Sequence, residues 1–85
     1  MKVHWSKKAL SDLDRLAAQK IMKSLLLAVQ KLADHPRLGE KLFDFSSNEI
    51  RRLFIGKYEL RYELSDTSLY ILRIWHTREQ RTAPA

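Results

Sequence analysis

The chain has no cysteine, only two glycines and two prolines in 85 residues, and no apolar run longer than Leu25 to Val29. Without cysteine there is no disulfide framework, no thiolate zinc site and no thiol nucleophile, which fits a reducing cytoplasm. Scarce glycine and proline beside 45% hydrophobic and 31% charged residues exclude a collagen-like or disordered chain. No run approaches the roughly 20 apolar residues of a membrane span, and the opening Met-Lys-Val-His-Trp-Ser-Lys-Lys carries no apolar signal core. Secretion and membrane insertion are therefore not expected, and a cytoplasmic location is. His4, His35 and His76 stand apart, with no metal-ligand spacing around them, so neither a metal nor a cofactor is implied. The length allows a single core, and residues 1–85 are read as one domain.

Positive charge is abundant. Sixteen Lys and Arg stand against ten Asp and Glu, for a net charge of +6. Such a field favours nucleic acid, ribosomes or an acidic protein partner. Seven of eight lysines precede residue 46, whereas six of eight arginines follow it. Arginine's planar fork suits phosphate and carboxylate, while lysines commonly coat a solvated helix face, so function is sought in the second half.

Periodicity sets the elements. Val3 and Trp5 alternate with Lys2 and His4, giving a strand at about residues 2–5, and Ser6 is a good helix N-cap. Leu10, Leu13, Leu16 and Ala17 predict a helix from Lys7 to about Ala17, with Asp12, Asp14 and Arg15 on its polar side. A second helix is expected from about Gln19 to Asp34, on the stripe Ile21, Leu25, Ala28, Val29 and Leu32, and His35-Pro36 stops it. Residues 37–48 read as a loop anchored by Leu38, Leu42, Phe43 and Phe45. Three strands follow: Ile50 to Ile55, a turn at Gly56-Lys57, an alternating run from Tyr58 to Leu64, and Leu69 to His76. Glu59, Arg61 and Glu63 fall on the face of the middle strand assigned to water. The order strand, helix, helix, strand, strand, strand predicts an α+β fold: a mostly antiparallel four-stranded sheet packed on a helical hairpin.

Four stretches in this order resemble the RelE/ParE superfamily of bacterial toxins: Trp5 to Leu13, Leu32 to Gly39, Ile50 to Leu53 with Tyr58 to Tyr62, and Ile74 to Glu79. The resemblance covers nearly the whole chain. It implies the toxin of a type II toxin–antitoxin module, held inactive by a cognate antitoxin in a hetero-oligomer. Antitoxin contact is expected at Met22, Leu26 and Leu27, apolar side chains beyond what one small core can bury.

Two activities occur in the superfamily. RelE-like and YoeB-like members cut mRNA on the ribosome, whereas ParE-like members inhibit DNA gyrase. The resemblance matches Arg52 and Arg78 to functional basic residues of RelE-like proteins, and His76 to the general acid of YoeB-like ones. The central-strand arginine is replaced by Glu59, with Arg61 two residues on, and the catalytic tyrosine of the tail is missing, since Arg78 is followed by Glu-Gln-Arg-Thr-Ala-Pro-Ala. Cleavage through the ribose 2′-OH needs a base, an acid and fixed cations. Arg52, Arg61, His76 and Arg78 are the catalytic candidates if the chain cuts RNA, and they form a partial set. Gyrase inhibition moves no proton and would draw on Arg51, Arg73, Arg78 and Arg81 as a contact surface. The gyrase reading is preferred by a narrow margin, ahead of the mRNA endonuclease and of a non-toxic basic binding module on the same fold. Plainer roles stand beside these: His76 as a structural histidine, and Arg51 and Arg52 as charges that protect a strand edge.

Overall fold

The computed structural model describes residues 1–17, 20–42 and 48–78. Its elements are β1 (Lys2–Trp5), α1 (Lys7–Leu16), α2 (Met22–Asp34), β2 (Glu40–Leu42), β3 (Glu49–Ile55), β4 (Tyr58–Leu64) and β5 (Ser68–His76). The strands form one sheet in the order β1-β5-β4-β3-β2, with β1 parallel to β5 and the other three pairings antiparallel. The α+β architecture expected from the sequence is the one observed, with a correction to the strand count. Glu40–Leu42, read as loop, is a fifth strand: three residues carry no alternation, and pairing of Leu42 with Ile50 and Glu40 with Arg52 makes them extended. No helix among the described residues is long and apolar enough to cross a membrane.

Local chemistry sets the boundaries. Ser6 caps α1, its Oγ accepting the Ala9 N–H at 3.0 Å. α2 ends at Asp34, and His35 is pushed to φ −132° and ψ 74° by the following proline. At the β3–β4 turn Gly56 takes φ 59°, which lets a two-residue hairpin close with the twist of its strands. Ala9, Leu16, Leu25, Val29 and Leu32 of the helices pack on Leu60, Tyr62, Leu64, Leu69, Ile71 and Ile74 of one sheet face. The other face points away from both helices and is called the far face below.

Two readings of polarity are corrected here. Asp12, assigned to the wet side of α1, is 4% exposed, while Leu10 lies half in water. Ala9, Asp12 and Leu16 share the inward face, and Asp12 is drawn in by donors on β5. Glu59, assigned to a wet strand face, is completely buried on the central strand between its register partners Phe54 and Trp75. Its charge is met by Arg61 Nη2 at 3.0 Å, as burial of a carboxylate requires. The expected anchors Phe43 and Phe45, the helix start at Gln19, and Arg81 lie outside the described residues.

Candidate functional site

Register builds the far face. Arg52 pairs with Arg61, and Arg61 with Arg73, so three arginines from β3, β4 and β5 form a row across the sheet. At one strand spacing per step the row spans about 10 Å. Each guanidinium is held by a carboxylate: Arg52 Nε by Glu40 Oε1 at 2.8 Å, Arg61 by Glu59, and Arg73 Nε by Asp12 Oδ2 at 2.8 Å. Aromatic rings interleave with them. The Arg61 and Arg73 guanidinium carbons lie 5.0 and 5.6 Å from the Trp75 ring centre, and that of Arg52 lies 5.2 Å from Phe54. Arg61 Nε and Trp75 Nε1 are buried without an acceptor among the described residues. Further along the same face His4 stacks on Tyr70 at 4.9 Å.

A bulge positions one end of the row. Tyr62 pairs with Ile71 but Arg61 with Arg73, leaving Leu72 as an extra residue on β5. Ser6 N–H and Oγ donate to the carbonyls of Ile71 and Leu72 at 3.0 and 2.9 Å, which ties the start of α1 to the bulge. Six residues on, Asp12 accepts from Arg73 Nε and Nη2, from Arg15 Nη2 and from the Ile74 N–H. Burial alone would raise the Asp12 pKa, but these donors together outweigh it and hold the carboxyl below its ordinary value.

His76 is elsewhere. Its register partner is Tyr58, on the helix-covered face, and the two rings meet edge to face at 5.1 Å. Its Nδ1 accepts the Arg78 N–H at 3.1 Å. The structure therefore brings Arg52, Arg61 and Arg73 together and sets His76 on the opposite side of the sheet, with Arg78 exposed just past the end of β5.

Arg51 is enclosed by a loop. Its side chain, 15% exposed, gives Nε to Glu49 at 2.8 Å and Nη1 to the Gly39 carbonyl at 2.7 Å. Glu49 is held below its usual range, chiefly by the Arg51 hydrogen bond. Beneath this loop the Tyr62 hydroxyl donates to the Pro36 carbonyl at 2.8 Å and accepts the Gly39 N–H at 2.9 Å, and burial pushes its pKa up. A Cβ on Gly39 would lie 2.6 Å from both the Arg52 carbonyl and the Tyr62 hydroxyl, so only glycine fits.

Between α2 and β3 runs an open groove of about 350 Å³, lined by Leu27, Ala28, Leu38, Leu53, Phe54 and Ile55, with Ser24 and Lys31 at its side. Leu27, Leu38 and Phe54 are each about half exposed. β2 covers the outer edge of β3 only over Ile50 to Arg52, which leaves Leu53 to Ile55 unpaired there among the described residues.

The sequence profile of the ParE toxin of parDE type II toxin–antitoxin systems matches residues 3–81. The chain belongs to the ParE toxin family. Solved structures similar to this ParE-family chain include the RelB–RelE antitoxin–toxin complex of Methanococcus jannaschii, with TM-score 0.76, 17% identity, and coverage of 96% of this chain and 99% of that one. The archaeal RelE–RelB complex of Pyrococcus horikoshii follows at TM-score 0.74, 20% identity, and coverage of 88% and 92%. The RelBE2 complex of Mycobacterium tuberculosis has TM-score 0.70, 29% identity, and coverage of 88% and 95%. No curated protein sequence matches the chain. The RelE/ParE resemblance read from the sequence is thus upheld.

Of the antitoxin-contact candidates in this ParE-family chain, Leu27 lines the groove, Leu26 is exposed and Met22 is half-buried. Sequence reasoning missed Asp12, Trp75 and the Tyr62–Gly39 clamp as organisers of the site. Asp12 had a usable signal, since Ala9, Asp12 and Leu16 recur at helical core spacing.

Proposed function

We propose that this chain is a type II toxin that acts in the cytoplasm by binding its target through the far face of the sheet, with DNA gyrase as the target, and not by cutting RNA. One observation carries this reading: the Arg52–Arg61–Arg73 row and His76 occupy opposite faces of the sheet. Cleavage requires a proton carrier and cations converging within hydrogen-bond reach of one phosphate. Among the described residues the acids beside the row are Glu40, Glu59 and Asp12, each paired with one of its arginines, and Glu59 and Asp12 are buried. Target contact then rests on Arg52, Arg61 and Arg73, with Arg78 and Arg81 kept as contact candidates from the sequence and Arg51 contributing through the loop it holds.

The RelE-like endonuclease stands as the second reading, and the row itself favours it, because fixed guanidiniums at strand spacing suit successive phosphates. Purified protein incubated with gyrase and relaxed DNA, and in parallel with translating ribosomes, separates the two. Loss of supercoiling with intact mRNA supports the binding reading, and codon-site mRNA cuts with normal supercoiling overturn it.

The toxin is neutralised by an antitoxin seated in the α2–β3 groove. Exposed Leu27, Leu38 and Phe54 offer apolar anchor sites beside an unpaired strand edge, a combination suited to an extended or helical segment. The net charge of +6 favours an acidic segment. The three similar solved structures are toxin–antitoxin complexes, which supports a hetero-oligomer here.

A further inference from the structure

β1 pairs with β5 only from Ser68 to Ile71, so among the described residues the outer edge of β5 beyond the bulge has no strand beside it. Side chains of α1 take its place. Ser6 serves the Leu72 carbonyl, Asp12 Oδ2 accepts the Ile74 N–H at 2.9 Å, and Arg15 Nη2 donates to the Ile74 carbonyl at 3.3 Å. Closing that edge at Ile74 requires one acceptor, which an asparagine would supply as well as an aspartate. The carboxylate does more. Its two oxygens serve four donors, three of them on guanidiniums, and two of those belong to Arg73 in a paired grip of 2.8 and 3.1 Å.

We propose that Asp12 is the positioning residue for Arg73: from inside α1 it fixes the plane of the Arg73 guanidinium over Trp75 and so completes the arginine row at its β5 end. The capped start of α1, the bulge at Leu72 and the grip on Arg73 form one device. Ser6 sets the helix register against the bulge, and that register places residue 12 beside Ile74. The grip is charge-assisted and two-pronged, the geometry in which arginine is held most firmly. The depressed Asp12 pKa agrees with a carboxylate kept ionised by its donors.

Asp12→Asn separates positioning from edge closure, because it keeps an acceptor for the Ile74 N–H and removes the charged fork-to-fork contact. In ¹⁵N NMR the Arg73 Nε–H should exchange at least about tenfold faster in this variant while the amides of β4 keep their protection; unchanged Arg73 protection overturns the proposal. The consequence for toxicity rests on the proposed target surface. At matched soluble protein levels, Asp12→Asn and Arg73→Ala should each raise the inducer needed for growth arrest by about tenfold, and the double variant should be no worse than Arg73→Ala. Weakened Arg73→Ala beside fully toxic Asp12→Asn overturns the positioning role and leaves the target surface standing. Fully toxic Arg73→Ala instead removes Arg73 from the target surface, and with it the functional part of the proposal. If Asp12→Asn does not accumulate folded, Arg73→Lys takes its place. It keeps the charge but lacks the fork, so the same loss is expected, and wild-type toxicity overturns the proposal.

Discussion

Two strands of the sheet run past their neighbours, and the molecule treats the two uncovered edges in opposite ways. On β5 the gap beyond Ile71 is closed by Ser6, Asp12 and Arg15, whose side chains meet the Leu72 carbonyl and both backbone groups of Ile74. On β3 the gap from Leu53 to Ile55 borders a groove of half-exposed leucine and phenylalanine. An unpaired edge beside apolar side chains is a template for another chain, and folded proteins ordinarily blunt such edges. The contrast teaches that polar side chains are spent where the fold needs closure, and apolar ones are left outside where a partner is proposed to complete the sheet.

The largest effect should come from breaking the closed edge. Asp12→Ala strands the Ile74 N–H and takes the carboxylate away from two guanidiniums, at a cost of about 2–4 kcal/mol in urea unfolding, discounted for the partial exposure of both arginines. Near-wild-type stability in that variant would remove the distinction between the edges. Next comes the loop that flanks the open edge. Gly39→Ala drives a methyl into the Arg52 carbonyl and the Tyr62 hydroxyl, neither of which can yield easily, and should cost about 1–3 kcal/mol by the same measurement.

Acid should act on the closed side too. The folded pKa of Asp12 lies below its unfolded value, so its contribution is fully present above about pH 4 and fades as pH falls through the folded pKa. Glu49 is depressed likewise and adds to the same window. Urea midpoints of the wild type should therefore fall steeply below about pH 4, and those of Asp12→Asn less steeply. Equal slopes would mean that the carboxylate is not held by its donors.

The smallest effect on stability belongs to the open edge. Leu27→Ser should change unfolding free energy by less than about 0.5 kcal/mol, because the side chain is already half in water. Yet it should weaken rescue of growth by the cognate antitoxin, as loss of a groove anchor does. Full rescue would move antitoxin docking away from the groove.

What could be read from the sequence was local. The Ser6 cap, the stop at His35-Pro36, the Gly56-Lys57 turn and the alternation of β4 each depend on a few adjacent residues. What escaped depends on partners far along the chain. β2 is a strand because β3 lies beside it, Asp12 is buried because β5 offers it donors, and Glu59 is buried because Phe54, Trp75 and Arg61 surround it. The site divides in the same way. Arg52, Arg61, Arg73 and His76 were all nameable from residue type and resemblance, but the side of the sheet each one occupies is decided by register and by the bulge at Leu72.

On that division of faces rests the proposal that toxicity comes from the arginine face by binding and without proton transfer. Its most direct test is the growth arrest caused by His76→Ala, expressed to the same soluble level as the wild type and checked for an unchanged fold. Toxicity within about twofold of wild type is expected, because no proton carrier is removed from the working face. A loss of about 10²-fold or more, the scale of a missing general acid, would contradict it and make the chain a nuclease.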